Sequence, residues 1–136
     1  MTMLIVSFGI KWLIYFIIVI TAFSCIEIVE IIAQTKLTGI IATNTTLSRD
    51  DLKSDENLKN EAGGLSGMPL KKRSTDIIRY LRKRAGQEIV IIGSGGVFTA
   101  ADAREKLDAG ANLVQVYTGF IYEGPSIIKK ICKQLG

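Results

Sequence analysis

A cluster of glycines follows a short apolar run in the sequence VIIGSGGVF, residues 90–98. Gly93, Gly95 and Gly96 have no side chains, so their backbone amide groups can approach a ligand closely. A helix is expected directly after them, and the positive end of its dipole favours an anion. A second apolar run also ends in a glycine, in VYTGF at residues 116–120. Because the loops after the last two strands of (β/α) barrels commonly bind one phosphate together, this pair predicts a phosphate site.

The alternative is that these glycines only form a tight turn between a strand and a helix. Asn44 and Thr45 favour the ligand site, because they follow another predicted strand and ligand-binding groups concentrate at the carboxyl edge of a parallel sheet. The glycine spacing differs from G-x-G-x-x-G, and the chain contains no GKS or GKT sequence. A dinucleotide fingerprint and a P-loop are therefore not expected.

The chain of 136 residues contains no histidine. This excludes a Ser-His-Asp triad, a histidine general base and imidazole ligation of a metal, and no metal site is expected. Cys25 and Cys132 are too far apart for a metal or redox motif and are expected to be buried thiols in a reducing compartment. A bound cofactor is therefore the expected agent of any chemistry.

The net charge of +4 is mild, and no basic stripe interleaved with aromatic residues accompanies it, so nucleic-acid binding is not expected. Most basic residues of the middle of the chain fall on one predicted helix and are interpreted as its solvated surface. These residues are Lys71, Lys72, Arg73, Arg79, Arg82, Lys83 and Arg84.

Downstream of residue 25, patterns with a helical period alternate with short apolar runs. Predicted helices cover residues 26–36, begin at Ser74 or Thr75 and end before Gly86, run from a cap at Thr99 to Gly110, and begin again at Pro125. Predicted strands cover residues 39–44, 89–92 and 112–119. The long charged stretch at residues 45–67 is expected to be a functional loop. This alternation predicts a parallel α/β architecture.

Residues 1–24 form a separate apolar segment that is interrupted by Lys11. About 20 apolar residues cross a bilayer as a helix, so a transmembrane helix over residues 3–23 is the leading interpretation. A secretory signal with a cleavage site in AFS, residues 22–24, is one alternative. A substituted sequence from splicing or gene modelling is the other. The chain is accordingly divided into this segment and a unit over residues 25–136.

Four sequence blocks resemble the carboxy-terminal part of the quinone-using class of dihydroorotate dehydrogenases. They are TNTT (43–46), GGLSGMPL (63–70), IIGSGGV (91–97) and AGANLVQVYTGFIYEGP (109–125), and their order and spacing match over about residues 26–136. The resemblance implies an FMN-containing (β/α) barrel that oxidises dihydroorotate to orotate in pyrimidine biosynthesis. It also implies a quinone acceptor and, in eukaryotes, the mitochondrial inner membrane. The expected fold is α/β: the last three strand–helix units of a TIM-type barrel, preceded by an apolar helix.

The resemblance assigns roles to residues of three strand ends and to one glycine of the long loop. The residues that resemble FMN contacts are Thr43, Gly67, Gly95, Gly96, Tyr117 and Thr118. The residues that resemble contacts to the pyrimidine are Asn44 and Thr45. Within the first set, the Gly96 backbone and the pair Tyr117 and Thr118 resemble the phosphate-binding groups. Ser94 stands where the family usually has an apolar residue, a change that leaves the backbone donors in place.

Other parts of the family pattern have no counterpart in the sequence. A lysine-bearing strand is expected before the first helix, and residues 1–24 do not contain one; the catalytic-base serine and the helices of the quinone tunnel are also missing. No catalytic residue is therefore assigned. Three predicted strands cannot close a barrel of eight, so the chain is expected to be truncated and inactive alone. The alternative function is a membrane-tethered, non-catalytic remnant or isoform that interacts through an exposed sheet, and an unrelated phosphate-binding barrel fragment is a third possibility.

Overall fold

The structure, a computed structural model, describes residues 25–35, 37–50 and 52–136. The apolar segment 1–24 lies outside the described residues, and so do the predictions made for it. The strands are β1 (Gly39–Ala42), β2 (Val90–Ser94) and β3 (Leu113–Gln115). The helices are α1 (Cys25–Thr35), α2 (Glu56–Lys59), α3 (Lys71–Ala85), α4 (Ala100–Asp108), α5 (Thr118–Glu123) and α6 (Ser126–Leu135), with a 3-10 turn at Met68–Leu70 before α3.

The three strands form a parallel sheet in the order β1-β2-β3. Ile40 pairs with Ile91, and Gly93 pairs with Val114. The parallel arrangement confirms the α/β prediction, because each strand is joined to the next by a helical crossover. The carboxyl ends of all three strands consequently meet at one edge of the sheet.

The helices pack on one face of this sheet, where two apolar clusters lie. The first cluster joins α1 and α3 to β1 and β2, and its buried members are Ile28, Ile32, Ile40, Ala42, Ile78, Leu81, Ile91, Ala109 and Ala111. The second cluster joins α4 and α6 to β3, and its buried members are Val97, Ala103, Val114, Ile127 and Ile131. Alternate strand residues such as Ile41 and Leu113 point to the other face and are only half-buried. Helices on one side of parallel strands are the arrangement of a (β/α) barrel wall.

Helix α3 begins earlier than predicted. The sequence indicated a cap at Ser74 or Thr75, whereas the helix starts at Lys71, directly after the 3-10 turn, and ends at Ala85 as expected. Both hydroxyl residues are buried inside the helix. The Ser74 hydroxyl donates to the Ser94 carbonyl at 2.5 Å, so its polar side chain connects α3 to β2 and does not cap a helix end.

Helix α4 has the predicted amino-terminal cap. The Thr99 hydroxyl accepts a hydrogen bond from the Asp102 amide, and the Asp102 carboxylate accepts from the Phe98 and Thr99 amides. This capping box satisfies amide groups that the first turn of a helix leaves without partners. It fixes the direction in which the chain leaves the glycine loop after β2.

The loop at residues 45–67 has more internal structure than the sequence indicated. It contains the short helix α2, and Thr46 and Leu65 form an antiparallel bridge that brings its two ends together. The Arg49 guanidinium donates to the carbonyls of Thr46 and Gly63, the latter at 2.6 Å. The third strand is shorter than the predicted 112–119, because it covers only Leu113–Gln115 and a helix that the sequence did not indicate, α5, begins at Thr118.

Three further predictions about side chains need correction. Arg82 is not merely solvated, because its guanidinium donates to the Gly110 and Ile89 carbonyls and holds two loops together. Lys71 is also only partly exposed and forms two ion pairs. Cys132 is exposed rather than buried, whereas the side chain of Cys25 lies outside the described part of the chain.

None of the helices described between residues 25 and 136 is long and apolar enough to cross a bilayer.

The core predicts a clear difference between two leucine substitutions. Leu81 is fully buried between α3 and the sheet, whereas Leu47 is 72% exposed. Leu81→Ala is expected to lower the free energy of unfolding by about 2–5 kcal/mol, because it removes buried methyl groups and leaves a cavity. Leu47→Ala should change it by less than about 0.5 kcal/mol. Urea denaturation followed by circular dichroism measures both, and equal effects would contradict this account of the core.

Candidate functional site

A cavity of about 350 Å³ lies at the carboxyl edge of the sheet. The ends of β1, β2 and β3 all contribute to its wall. Every residue to which the family resemblance assigned a binding role lines this cavity: Thr43, Asn44, Thr45, Gly67, Gly95, Gly96, Tyr117 and Thr118. Its lining also includes residues that sequence reasoning did not select, namely Ile41, Ser66, Leu70, Ser94, Val97 and Gln115.

Gly93 is the glycine of the VIIGSGGVF sequence that does not belong to the site. A Cβ atom at this position would lie 3.1–3.2 Å from Ile78, Ala111 and Lys106. Gly93 is buried on the helix-covered side of β2, so its small size allows α3 and α4 to pack on the sheet. The expectation that its amide contributes to an anion site is therefore wrong.

Gly95 and Gly96 form the turn at the bottom of the cavity. Both have positive φ angles, 115° and 68°, which side-chain-bearing residues rarely adopt. A Cβ atom on Gly96 would lie 2.5–2.8 Å from the Lys71 Cβ, Cα and N atoms, so the turn is in close contact with the first residue of α3. The Gly96 amide donates no hydrogen bond to any residue that the structure describes. An amide of this kind at the wall of a cavity is suited to bind an anion.

An ion-pair cluster lies beside this turn. The Lys71 ammonium contacts the carboxylates of Asp102, at 2.5 Å, and Glu105, at 3.1 Å. Its hydrogen bond to Asp102 is the main reason that the pKa of Lys71 is raised. Burial alone would raise the pKa of Asp102, but the hydrogen bonds from Lys71 and from the Phe98 and Thr99 groups outweigh it and lower that pKa. The pair is therefore ionised at neutral pH, and its contribution to stability is lost as the pH falls through the lowered pKa of Asp102.

The residues after β1 form the opposite wall. The Thr43 hydroxyl oxygen is buried and has no hydrogen-bond partner among the described residues. Buried hydroxyl groups are normally paired, so this atom indicates a partner that is supplied by a ligand. Asn44 and Thr45 are exposed to the cavity opening, and the Asn44 side-chain oxygen accepts from the Thr45 amide at 2.7 Å.

The third part of the wall joins the long loop to the start of α5. The Thr118 hydroxyl donates to the Ser66 hydroxyl at 3.1 Å, and a Cβ atom on Gly67 would lie 3.2 Å from the Thr118 methyl group. Gly67 has a φ angle of 83°. Tyr117, which precedes α5, is 71% exposed at the cavity opening. The small residues of the loop therefore allow it to approach the end of β3 closely.

Comparison with known proteins agrees with this arrangement. The family model described as "Dihydroorotate dehydrogenase" matches residues 19–136. The chain belongs to the dihydroorotate dehydrogenase family.

Similar relatives are bacterial proteins named dihydroorotate dehydrogenase (quinone). The protein from Christiangramia forsetii is 59% identical over 109 residues, which are 80% of this chain and 32% of the relative. The protein from a Cyanothece species is 50% identical over 110 residues, which are 76% of this chain and 29% of the relative. The chain thus spans about a third of the length of these dihydroorotate dehydrogenases.

Solved structures agree with the fold. A crystal structure of the Eimeria tenella dihydroorotate dehydrogenase in complex with ferulenol superimposes with a TM-score of 0.76 and 40% sequence identity. The match covers 82% of this chain and 29% of that protein. The parallel sheet with helices on one face therefore corresponds to part of the barrel of a dihydroorotate dehydrogenase.

The close contact at Gly96 predicts that alanine lowers the free energy of unfolding more at Gly96 than at Gly86, which has the same φ angle. Gly86 also has a φ of 68°, but a Cβ atom there meets nothing within 4 Å. Gly86→Ala is expected to cost about 1–3 kcal/mol of unfolding free energy through backbone strain alone, because its φ of 68° and ψ of −155° are essentially restricted to glycine. Gly96→Ala should cost roughly 1–3 kcal/mol more, because its Cβ pushes the turn away from Lys71. Chemical denaturation of both variants checks this, and equal losses would contradict the close approach.

Proposed function

We propose that this chain forms the FMN-binding and dihydroorotate-binding part of a quinone-dependent dihydroorotate dehydrogenase, which oxidises dihydroorotate to orotate in pyrimidine biosynthesis. The observation that carries the proposal is the convergence of three strand ends on one cavity, whose lining includes the Gly95 and Gly96 turn and polar side chains. The names of the relatives support the reaction and the acceptor.

The residues present fit a phosphate-bearing flavin. Gly95 and Gly96 supply a turn that has no side chains where a phosphate group would bind, and Tyr117 and Thr118 add hydroxyl donors from the next loop. The unpaired hydroxyl of Thr43 and the side-chain-free surface of Gly67 would then contact the flavin. When bound, FMN supplies the hydride acceptor that no amino-acid side chain provides.

Asn44 and Thr45 are suited to hold the substrate. An asparagine amide both donates and accepts hydrogen bonds, so it is complementary to the alternating N–H and C=O groups at the edge of a pyrimidine ring. Both residues line the cavity and are exposed to solvent. These residues orient the substrate by hydrogen bonding, and the apolar side chains of Ile41 and Val97 exclude water from the same space.

No general base is assigned among the described residues that line the cavity. They include no carboxylate, amine or thiol group, and the hydroxyl groups present are weak bases at neutral pH. The proposal for this chain is therefore one of binding and orientation. The proton acceptor and the quinone site are assigned to no residue described between 25 and 136.

We further propose that residues 3–23 attach the protein to a membrane, on the basis of their apolar sequence alone. The mitochondrial inner membrane stays a prediction from the family resemblance. Fractionation of cells that express the tagged chain, followed by alkaline carbonate extraction, tests the attachment. Release of the protein into the supernatant would contradict it.

The central experiment expresses the complete chain of 136 residues, titrates it with FMN and follows quenching of flavin fluorescence. Saturable binding at one site per chain is the expected result. Reduction of a quinone analogue in the presence of dihydroorotate is then measured. FMN binding without turnover would support the binding role and the non-catalytic alternative, whereas a folded chain that does not bind FMN would overturn the proposal.

The substrate role of Asn44 predicts a selective defect. Asn44→Ala is expected to weaken orotate binding to the FMN-loaded chain by about 10-fold, because hydrogen bonds to the ligand are lost. Its affinity for FMN should stay within about 2-fold of the wild-type value, since the phosphate contacts remain. The matched control is Asn57→Ala, which changes an exposed residue of α2 outside the cavity. Orotate titration followed by flavin absorbance measures the effect, and equal orotate affinities for the two variants would contradict the assignment.

A further inference from the structure

Lys106 is a buried lysine that the proposed binding chemistry does not use. It lies in α4, about one turn after Asp102 of the capping box, and its side chain is fully buried. Lysine is almost never fully buried without a polar partner, because desolvation of an ammonium group costs several kcal/mol. Its location therefore requires an explanation beyond the packing of an apolar core.

The partners of Lys106 belong to the first turn of α3. Its ammonium group donates to the Lys71 carbonyl at 2.7 Å and to the Thr75 hydroxyl at 2.6 Å. Lys71 is the residue whose backbone lies against Gly96. Lys106 is therefore connected to the glycine turn through a single intervening residue, although its own side chain does not line the cavity.

We propose that Lys106 is a positioning residue for the anion-binding turn: its ammonium group holds the first turn of α3 against Gly96, and loss of its proton weakens the binding of a phosphate group. The inference rests on the proposed binding of the FMN phosphate at this turn. It adds to that proposal a pH-dependent control of the same site by a residue outside the cavity.

The charge itself contributes in two ways. Hydrogen bonds from an ammonium group are roughly twice as strong as those from a neutral amine, so the protonated side chain holds α3 more firmly. A positive charge behind the turn also attracts an anion in front of it, in surroundings that screen charge less than water does. Both effects disappear when Lys106 loses its proton, and both favour the state in which the phosphate group is bound at the glycine turn.

The charged groups around Lys106 come from α3 and α4. Glu105, Asp102 and Asp76 favour the protonated form, and Lys71 opposes it. β2 lies against Lys106 at Gly93 and contains no titratable residue.

Burial outweighs the acidic neighbours and lowers the pKa of Lys106 from 10.5 to about 8. Because this pKa lies below its ordinary value, the unfolded chain binds the proton more tightly, and stability rises with pH between about 8 and 10.5. Below pH 8 the folded chain keeps the buried charge at a cost in stability. A destabilising charge that is kept at neutral pH is typical of a functional position.

Linkage gives the sign of the effect on binding. If the protonated form binds phosphate more tightly, a bound phosphate must raise the pKa of Lys106 by the same coupling factor. Affinity therefore falls as the pH rises from 7 to 9. The second ionisation of a phosphate monoester is near pH 6, so the ligand itself keeps its charge across this range.

The test titrates the complete chain with FMN and with riboflavin, which lacks the phosphate, between pH 7 and pH 9. Wild-type affinity for FMN is expected to fall by about 3-fold to 10-fold over this range, whereas riboflavin binding stays constant. Lys106→Met should bind FMN about 10-fold more weakly at pH 7, with no further loss at pH 9. Lys72→Met is the matched control, because Lys72 lies on α3, the helix that Lys106 contacts, and its own side chain is 93% exposed. It should retain the wild-type pH profile.

A second variant keeps the inference testable if Lys106→Met does not fold. Thr75→Val preserves the side-chain volume but removes one acceptor of the ammonium group, so the fall in FMN affinity should move to lower pH. A purely structural role would lower affinity equally at every pH. An unchanged profile in Thr75→Val, or a Lys106→Met variant that keeps the pH dependence of the wild type, would overturn the inference.

Hydrogen exchange separates this inference from the proposed function. Without any flavin, the amides of residues 94–97 in the wild type should be better protected at pH 7 than at pH 9, after correction for intrinsic exchange rates. This difference should vanish in Lys106→Met. If the chain binds no FMN but shows the difference, the proposed function fails and the positioning role of Lys106 stands. Absence of the difference in the wild type would contradict the positioning role, whatever the flavin results.

Discussion

The approach of Gly96 to the backbone of Lys71 is the contact on which the site depends. Any side chain at Gly96 would overlap the first residue of α3, and its positive φ angle independently favours glycine. Lys71 is in turn held by its ion pair with Asp102, and Asp102 caps α4. One contact therefore joins the turn after β2 to the beginnings of two helices. The bottom of the cavity takes its shape from this junction.

Parallel topology explains why the rest of the site lies above that junction. Because all three strands run in the same direction, their carboxyl ends bring separate stretches of sequence to one edge: Thr43–Thr45, Ser94–Gly96 and Gln115–Thr118. The long loop between β1 and α3 closes the space by the hydrogen bond from Thr118 to Ser66. The Arg49 side chain stabilises this loop by donating hydrogen bonds to the loop carbonyls of Thr46 and Gly63. Positioning of the binding residues thus depends on contacts between residues far apart in sequence.

Features governed by local physics could be predicted from the sequence. The capping box at Thr99 and Asp102, the strand before Gly93 and the glycine turn itself all follow from short-range rules, and the structure contains them. The grouping of seven of the eight assigned residues in one cavity was expected because their motifs follow strand ends, whereas Gly67 comes from the long loop before α3. The start of α3 was missed because Ser74 resembles a cap, yet its hydroxyl bonds to Ser94, twenty residues away. The buried position of Lys106 had no local signal either, since its partners lie more than thirty residues earlier.

The most direct test of the central claim is a map of amide chemical shifts in the isotopically labelled chain during titration with FMN. The account predicts that the largest changes occur at Gly95, Gly96 and Thr118, with smaller changes at Thr43 and Gly67. Riboflavin should reproduce the changes at Thr43 and Gly67 but not those at Gly95 and Gly96, because it lacks the phosphate group. Saturable FMN binding with no change at Gly95 and Gly96 would contradict the claim that this turn binds the phosphate.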